Sequence, residues 1–120
     1  MPDSFSRVVP VLRMFDFEAT QRFYCDYVGC ALDWREGDVG SPIYLQVSRG
    51  NLVLQLSSHH GDGTPGTAVV VYTDDLDALH GELQAKPYPF LSPGIEAHGA
   101  GRVMTLIDPA SNLLRFFDRS

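Results

Sequence analysis

Trp34 is the one tryptophan in the chain, and it stands beside Asp33 at the end of a strand-like run. An indole face stacks on planar rings, and a neighbouring carboxylate pairs with an ammonium group. The pair therefore suggests recognition of a cationic, aromatic small molecule, and Glu36 and Asp38 extend the negative charge downstream. Tyr44 and Gln46 share one face of the next strand by the alternation rule. Val53, Gln55 and Ser57 share a face on the strand after it, leaving Leu52, Leu54 and Leu56 on the opposite face, under helices. A polar and aromatic mixture on one face suits a ligand cup. Near the end of the chain Arg115 and Phe117 alternate with Leu114 and Phe116, so both are expected to point into the same cup. A buried Arg115 would need a carboxylate or several carbonyls. Arg102 is expected to meet an anionic ligand group or a surface carboxylate.

Other chemistries lack the necessary spacing. His59 and His60 are consecutive, so their rings diverge, and no HxH or HxxxH pair supports a preformed metal site with Gln55 or Asp62. His80 falls on a helix between core leucines and His98 in a loop, both as bystanders. Cys25 and Cys30 would point about 140° apart on one helix, and they are not CxxC-spaced. No GxSxG nucleophile signature is present. The residues thus predict no catalytic group, no metal and no cofactor.

These side chains require a scaffold, and 120 residues fit one domain spanning 1–120. With 9 basic and 15 acidic residues the net charge is −6, and basic residues nowhere cluster as a nucleic-acid footprint demands. No apolar run approaches the ~20 residues of a membrane helix. The first seven residues hold no apolar signal core, so a cytoplasmic location is expected. An apolar strand over 8–15 leads to Asp16, a helix N-cap, then a helix over 17–28 stopped by Gly29. Strands follow at 31–35, 42–48 and 52–57, the last two joined through Arg49-Gly50-Asn51. After a polar linker over 59–66 the pattern restarts: a strand over 67–73, a helix capped by Asp74 or Asp75 with Leu76, Leu79 and Leu83 inward, and its end at Pro87. A loose Pro-rich stretch then leads to strands at 102–107 and 113–117. Phe15-Asp16-Phe17-Glu18-Ala19 aligns with Asp74-Asp75-Leu76-Asp77-Ala78, and Asn51-Leu52 with Asn112-Leu113. The chain therefore reads as an α+β protein of two βαβββ modules, about 7–58 and 66–118, forming a curved mixed sheet.

In these motifs the sequence resembles the vicinal oxygen chelate, or glyoxalase-like, superfamily over essentially its whole length. The resemblance rests on Val9-Pro10-Val11-Leu12 leading to Asp16 and Phe23-Tyr24, on Val71-Tyr72-Thr73-Asp74-Asp75-Leu76, and on Asp108-Pro109-Ala110-Ser111-Asn112-Leu113-Leu114-Arg115-Phe116. It implies a cup-shaped sheet and, in the metalloenzymes, one ligand from each of strands one, four, five and eight. Those positions correspond here to Val9, Gln55, Ala68 and Arg115. Valine and alanine carry no donor and arginine is a permanent cation, so the usual metal site does not assemble. Within the superfamily the chain is similar to the bleomycin resistance proteins, through Gly29 followed by Asp33-Trp34, the Arg49-Gly50-Asn51-Leu52 hairpin and Leu114-Arg115. It departs from them where many carry Pro-Trp-Gly, reading His98-Gly99-Ala100-Gly101 instead. This resemblance implies a homodimer with ligand grooves at the subunit boundary, the strand-one Pro10 lying where N-terminal arms can exchange. The expected function is metal-independent sequestration of a bleomycin-type cationic glycopeptide antibiotic through Asp33, Trp34, Tyr44, Gln46, Gln55, Ser57, Arg102, Arg115 and Phe117. The alternatives are a glyoxalase- or dioxygenase-like metalloenzyme with a non-standard metal site, or a relative that has lost its ligand and serves as a sensor.

Overall fold

The computed structural model describes residues 4–38 and 40–118. Strand β1 (Val11–Arg13) is shorter than the predicted 8–15 because Pro10 has no N–H to donate. Its carbonyl still accepts from Gln55 N at 3.0 Å, and Met14 N donates to Ser57 O at 3.0 Å. Helix α1 (Phe17–Gln21) starts where Asp16 accepts from Ala19 N, then widens into a π-helical segment, Arg22–Tyr27, instead of continuing as one α-helix to residue 28. Val28 N reaches back to Phe23 O, and Cys30 N to Tyr24 O. Three aromatic side chains, Phe23, Tyr24 and Tyr27, are buried along this wide turn, and Gly29, at φ 88°, releases the chain from it.

Strands β2 (Ala31–Glu36), β3 (Tyr44–Arg49) and β4 (Leu52–Ser57) complete a sheet ordered β1-β4-β3-β2, with β1 parallel to β4 and the other pairs antiparallel. The second half repeats this plan. Strand β5 (Ala68–Tyr72) precedes helix α2 (Leu76–Gln84), whose N-cap is Asp75, accepting from Ala78 N at 3.0 Å as Asp16 does from Ala19 N. Strands β6 (Ile95–His98), β7 (Gly101–Ile107) and β8 (Leu113–Asp118) give the order β5-β8-β7-β6. Strand β6 corrects the expected Pro-rich loop and moves His98 from loop to strand. Only Ile95 of its four residues is even partly buried, so it has no hydrophobic alternation to read, and its pairing to β7 defines it.

The inward leucines Leu54, Leu56, Leu76 and Leu83 join Phe23, Tyr24, Met104 and Leu114 in one core cluster fed by both modules. Burying each such side chain contributes about 1.5–3 kcal/mol. Polar contacts fasten the halves together. Buried Asp108 accepts from Tyr24 OH at 2.6 Å, from Ala110 N, and from both the backbone and side-chain nitrogens of Asn112. Asn112 then donates to Arg13 O on β1 and accepts from Thr67 N before β5. Burial, with the Asp108 charge adding to it, holds the Tyr24 hydroxyl well above its usual pKa, as a neutral donor. A second fastening joins Arg49, Glu82 and Lys86: the two cations flank one carboxylate and also cap Val28 O and Tyr27 O at the end of the π-helical turn.

Each sheet thus presses one face into the shared core and leaves much of the other open, the loop after β4 covering the Ser57 end of the first, and no described strand of one sheet pairs with the other. The shape is flat, 47 × 42 × 22 Å with a radius of gyration of 15.0 Å, against about 13.6 Å for a compact chain of this length.

Candidate functional site

Alternation fixes what the open face of the first sheet displays. In register, Val11 lies beside Gln55, Gln55 beside Gln46, and Gln46 beside Trp34. A β-bulge between Leu32 and Trp34 adds a residue to β2, and Asp33 reaches the same face as its neighbour Trp34. A regular strand cannot place consecutive residues on one side, and nothing in the sequence marks the bulge.

These side chains form one directed chain of hydrogen bonds. Tyr44 OH donates to Gln55 Oε1 at 2.6 Å, Gln55 Nε2 to Gln46 Oε1 at 3.1 Å, and Gln46 Nε2 to Asp33 Oδ2 at 3.0 Å, while Ser48 Oγ donates to Asp33 Oδ1 at 2.9 Å. The bonds from Gln46 and then Ser48 hold the Asp33 carboxyl below its ordinary pKa. Its negative end sets the orientation of both amides. Above this network the Trp34 and Tyr44 rings lie parallel, 1° apart in plane and 5.8 Å between centroids, with 37% of Trp34 exposed. His59 meets the Tyr44 ring edge-on, and its carbonyl accepts from Arg13 Nη1.

The second open face has another character. Val70, Arg115 and Thr105 lie side by side across three strands, as do Tyr72, Phe117 and Val103. Tyr72 is 67% exposed, Ile107 48% and Val70 47%. His98 packs edge-on against Phe117, 5.2 Å between centroids. Arg115 is exposed rather than buried, and among the described residues it makes no hydrogen bond or ion pair.

The expected site residues therefore divide. Asp33, Trp34, Tyr44, Gln46 and Gln55 assemble on the first face, with Gln46 almost wholly buried in it. Ser57 is also buried, its hydroxyl donating to Asp62 Oδ2 under the loop after β4, so it presents nothing to a ligand. That loop crosses β1 closely: a Cβ on Gly63, at φ 65°, would sit 2.8 Å from Arg13 N. Arg115 and Phe117 lie on the second face. Arg102 does not, because it sits one register position off that face and makes a two-pronged pair with Asp77 and a contact to Asp118 near α2. Tyr88 and Phe90, from the Pro-rich stretch, lie on neither sheet: Tyr88 stacks on Tyr27 at 4.4 Å, and Tyr88 and Phe90 line a pocket of about 470 Å³ beside α1 that adjoins the second face at Ile107.

A divalent metal does not fit the positions that a glyoxalase-type centre would use. Register sets Val11 directly beside Gln55 and Val70 directly beside Arg115, two residues on from the counted Val9 and Ala68. Only Gln55 offers a donor, and its amide is already bonded at both ends. No cluster of three histidine, cysteine, aspartate or glutamate side chains with metal-site geometry occurs among the described residues. The thiols are unsuited as well, Cys30 being pushed up to about 11 by burial. No described helix is long and apolar enough to cross a membrane.

A search among curated proteins returned no match. Among solved structures, the bleomycin-binding protein of the bleomycin producer Streptomyces verticillus, complexed with copper(II)-bleomycin, is 30% identical with a TM-score of 0.70, covering 94% of this chain and 95% of that one. An antibiotic-binding protein of Streptomyces sp. CB03234 superposes with a TM-score of 0.72 at 22% identity, 98% of each chain being covered. A bleomycin resistance determinant encoded on transposon Tn5 gives 0.69 at 24%, covering 97% and 99%. The family model of glyoxalase superfamily proteins matches residues 3–120. The chain belongs to the glyoxalase superfamily, and within it its likeness runs to the bleomycin resistance and bleomycin-binding proteins.

Proposed function

We propose that this protein sequesters a bulky, ring-bearing antibiotic by stoichiometric binding, in a cup made from the open sheet faces of two copies of the chain in the cytoplasm. The observation that carries the reading is the parallel Trp34 and Tyr44 pair over a pre-bonded polar patch. Rings stack on such a surface without side-chain reorganisation, and pre-organisation of this kind favours tight binding. Dimerisation is supported by the uncovered faces and by β5, an edge strand of sequence Ala-Val-Val-Val-Tyr without charge or proline. Within this reading a bleomycin-type glycopeptide has the support of the 30% identical neighbour that binds one, and the exposed acids Glu36 and Asp38 would attract its cationic groups.

The test is fluorescence titration of Trp34 with metal-free bleomycin, backed by calorimetry. Saturable quenching is expected, with Trp34→Ala weakening binding by about 2 kcal/mol, the scale of an aromatic anchor. Silence in both measurements would discard the bleomycin version.

A further inference from the structure

From the second open face we infer that the ligand carries, beside its ring system, an ionised acidic group that pairs with Arg115. The inference rests on the cup reading above, not on its bleomycin version, and makes the ligand a planar aromatic acid, a carboxylate or phenolate. Arg115 occupies the middle of the face, between Val70 and Thr105 across the sheet and between Leu113 and Phe117 along its own strand. None of those neighbours is acidic. Among the described residues the carboxylates of the open faces are elsewhere: Asp33 is bonded to Gln46 and Ser48, Asp62 to Ser57, and Glu36 and Glu96 lie on the outer strands β2 and β6. Among the described residues, Arg13 already lies over the Phe15 ring and donates to His59 O, and Arg7 lies within electrostatic reach of Asp33.

A ring seated over the exposed Val70, Tyr72 and Ile107 would strip water from the guanidinium. An uncompensated buried cation opposes binding, and a second positive charge opposes it more, whereas a carboxylate meets the planar fork of an arginine with two parallel hydrogen bonds.

Three probes sharing one ring system separate the terms: pyrene-1-carboxylate, pyrene-1-methanol and pyrene-1-methylammonium, titrated calorimetrically into the wild type, Arg115→Gln and Trp34→Ala. The carboxylate is expected to bind about tenfold tighter than the ammonium, the scale of one charge-assisted contact. In Arg115→Gln that preference should vanish, the carboxylate weakening while the methanol and the ammonium bind no more weakly than to the wild type, and Arg115→Lys should restore part of it; Trp34→Ala should weaken all three. A preference for the ammonium, or one for the carboxylate that survives Arg115→Gln, would overturn the acidic-ligand inference alone. Failure of all three probes to bind would overturn the cup reading and the inference with it. A change in sedimentation of Arg115→Gln, with probe binding intact, would assign Arg115 to the contact between copies and overturn the inference.

Discussion

The two sheets share strand order, parallel edge pair and Asp-capped helix, yet their open faces follow opposite plans. On the first, Tyr44, Gln55, Gln46, Asp33 and Ser48 satisfy one another, so the surface is rigid and its charge is spoken for. On the second, apolar and aromatic side chains surround a guanidinium with no bond among the described residues. What the modules share, the caps and the leucine faces, builds the fold. What they do not share is where we place ligand chemistry, in keeping with function being grafted onto a common scaffold.

Removing the fastening common to both modules should have the largest effect. Asp108→Ala strands Tyr24 OH and two backbone amides and takes one of the bonds that hold the Asn112 side chain, and is expected to cost about 3 kcal/mol, with Tyr24→Phe costing about 1. Urea unfolding followed by Trp34 fluorescence and by far-UV dichroism should show one shared transition. Two separated transitions would mean that the modules fold independently and that the comparison concerns two domains. An intermediate effect is expected within the faces. Gln55→Ala breaks the bonded chain in its middle and should cost about 1 kcal/mol, whereas Arg115→Gln should stay within about 0.5 kcal/mol. Equal losses at the two sites would erase the distinction between a bonded and an unbonded face.

A small, pH-dependent effect is expected at the half-exposed Arg49, Glu82 and Lys86 cluster. Hydrogen bonds from Arg49, then its charge and Lys86, hold the Glu82 carboxyl below the ordinary glutamate range. A depressed carboxyl stabilises the fold above its unfolded value, about 4.3, and that contribution disappears as pH falls through the depressed value. Solvent screening keeps it under about 1 kcal/mol. Wild type and Glu82→Gln should therefore differ slightly in denaturation midpoint at pH 7 and converge once the pH falls below the depressed value.

Much of the scaffold was legible because its signals are local. Asp16 and Asp75 sit where a cap must, and Leu54, Leu56, Leu76 and Leu83 fall on the periods of strand and helix. The residues that escaped depend on pairing. Strand β6 has no pattern of its own, the bulge at Asp33 exists only against β3, and Ser57 is covered by a loop that closes over it from later in the chain. Arg102 could not be told from Arg115 by residue type. Odd or even position along its strand decides which face each serves, and Asp77, the partner of Arg102, comes from α2.

The bulge at Asp33 also bears on how such a face can change. Because the register on either side of it is regular, Leu32 opposite Val47 and Trp34 opposite Gln46, the carboxylate is an inserted letter in an otherwise ordinary strand. Its loss would leave the indole on the same side and the flanking pairs intact, while removing the anchor that orients two amides. A lineage carrying this strand can therefore acquire or discard a charge on this sheet face by a single-codon insertion or deletion, without passing through a misfolded sheet.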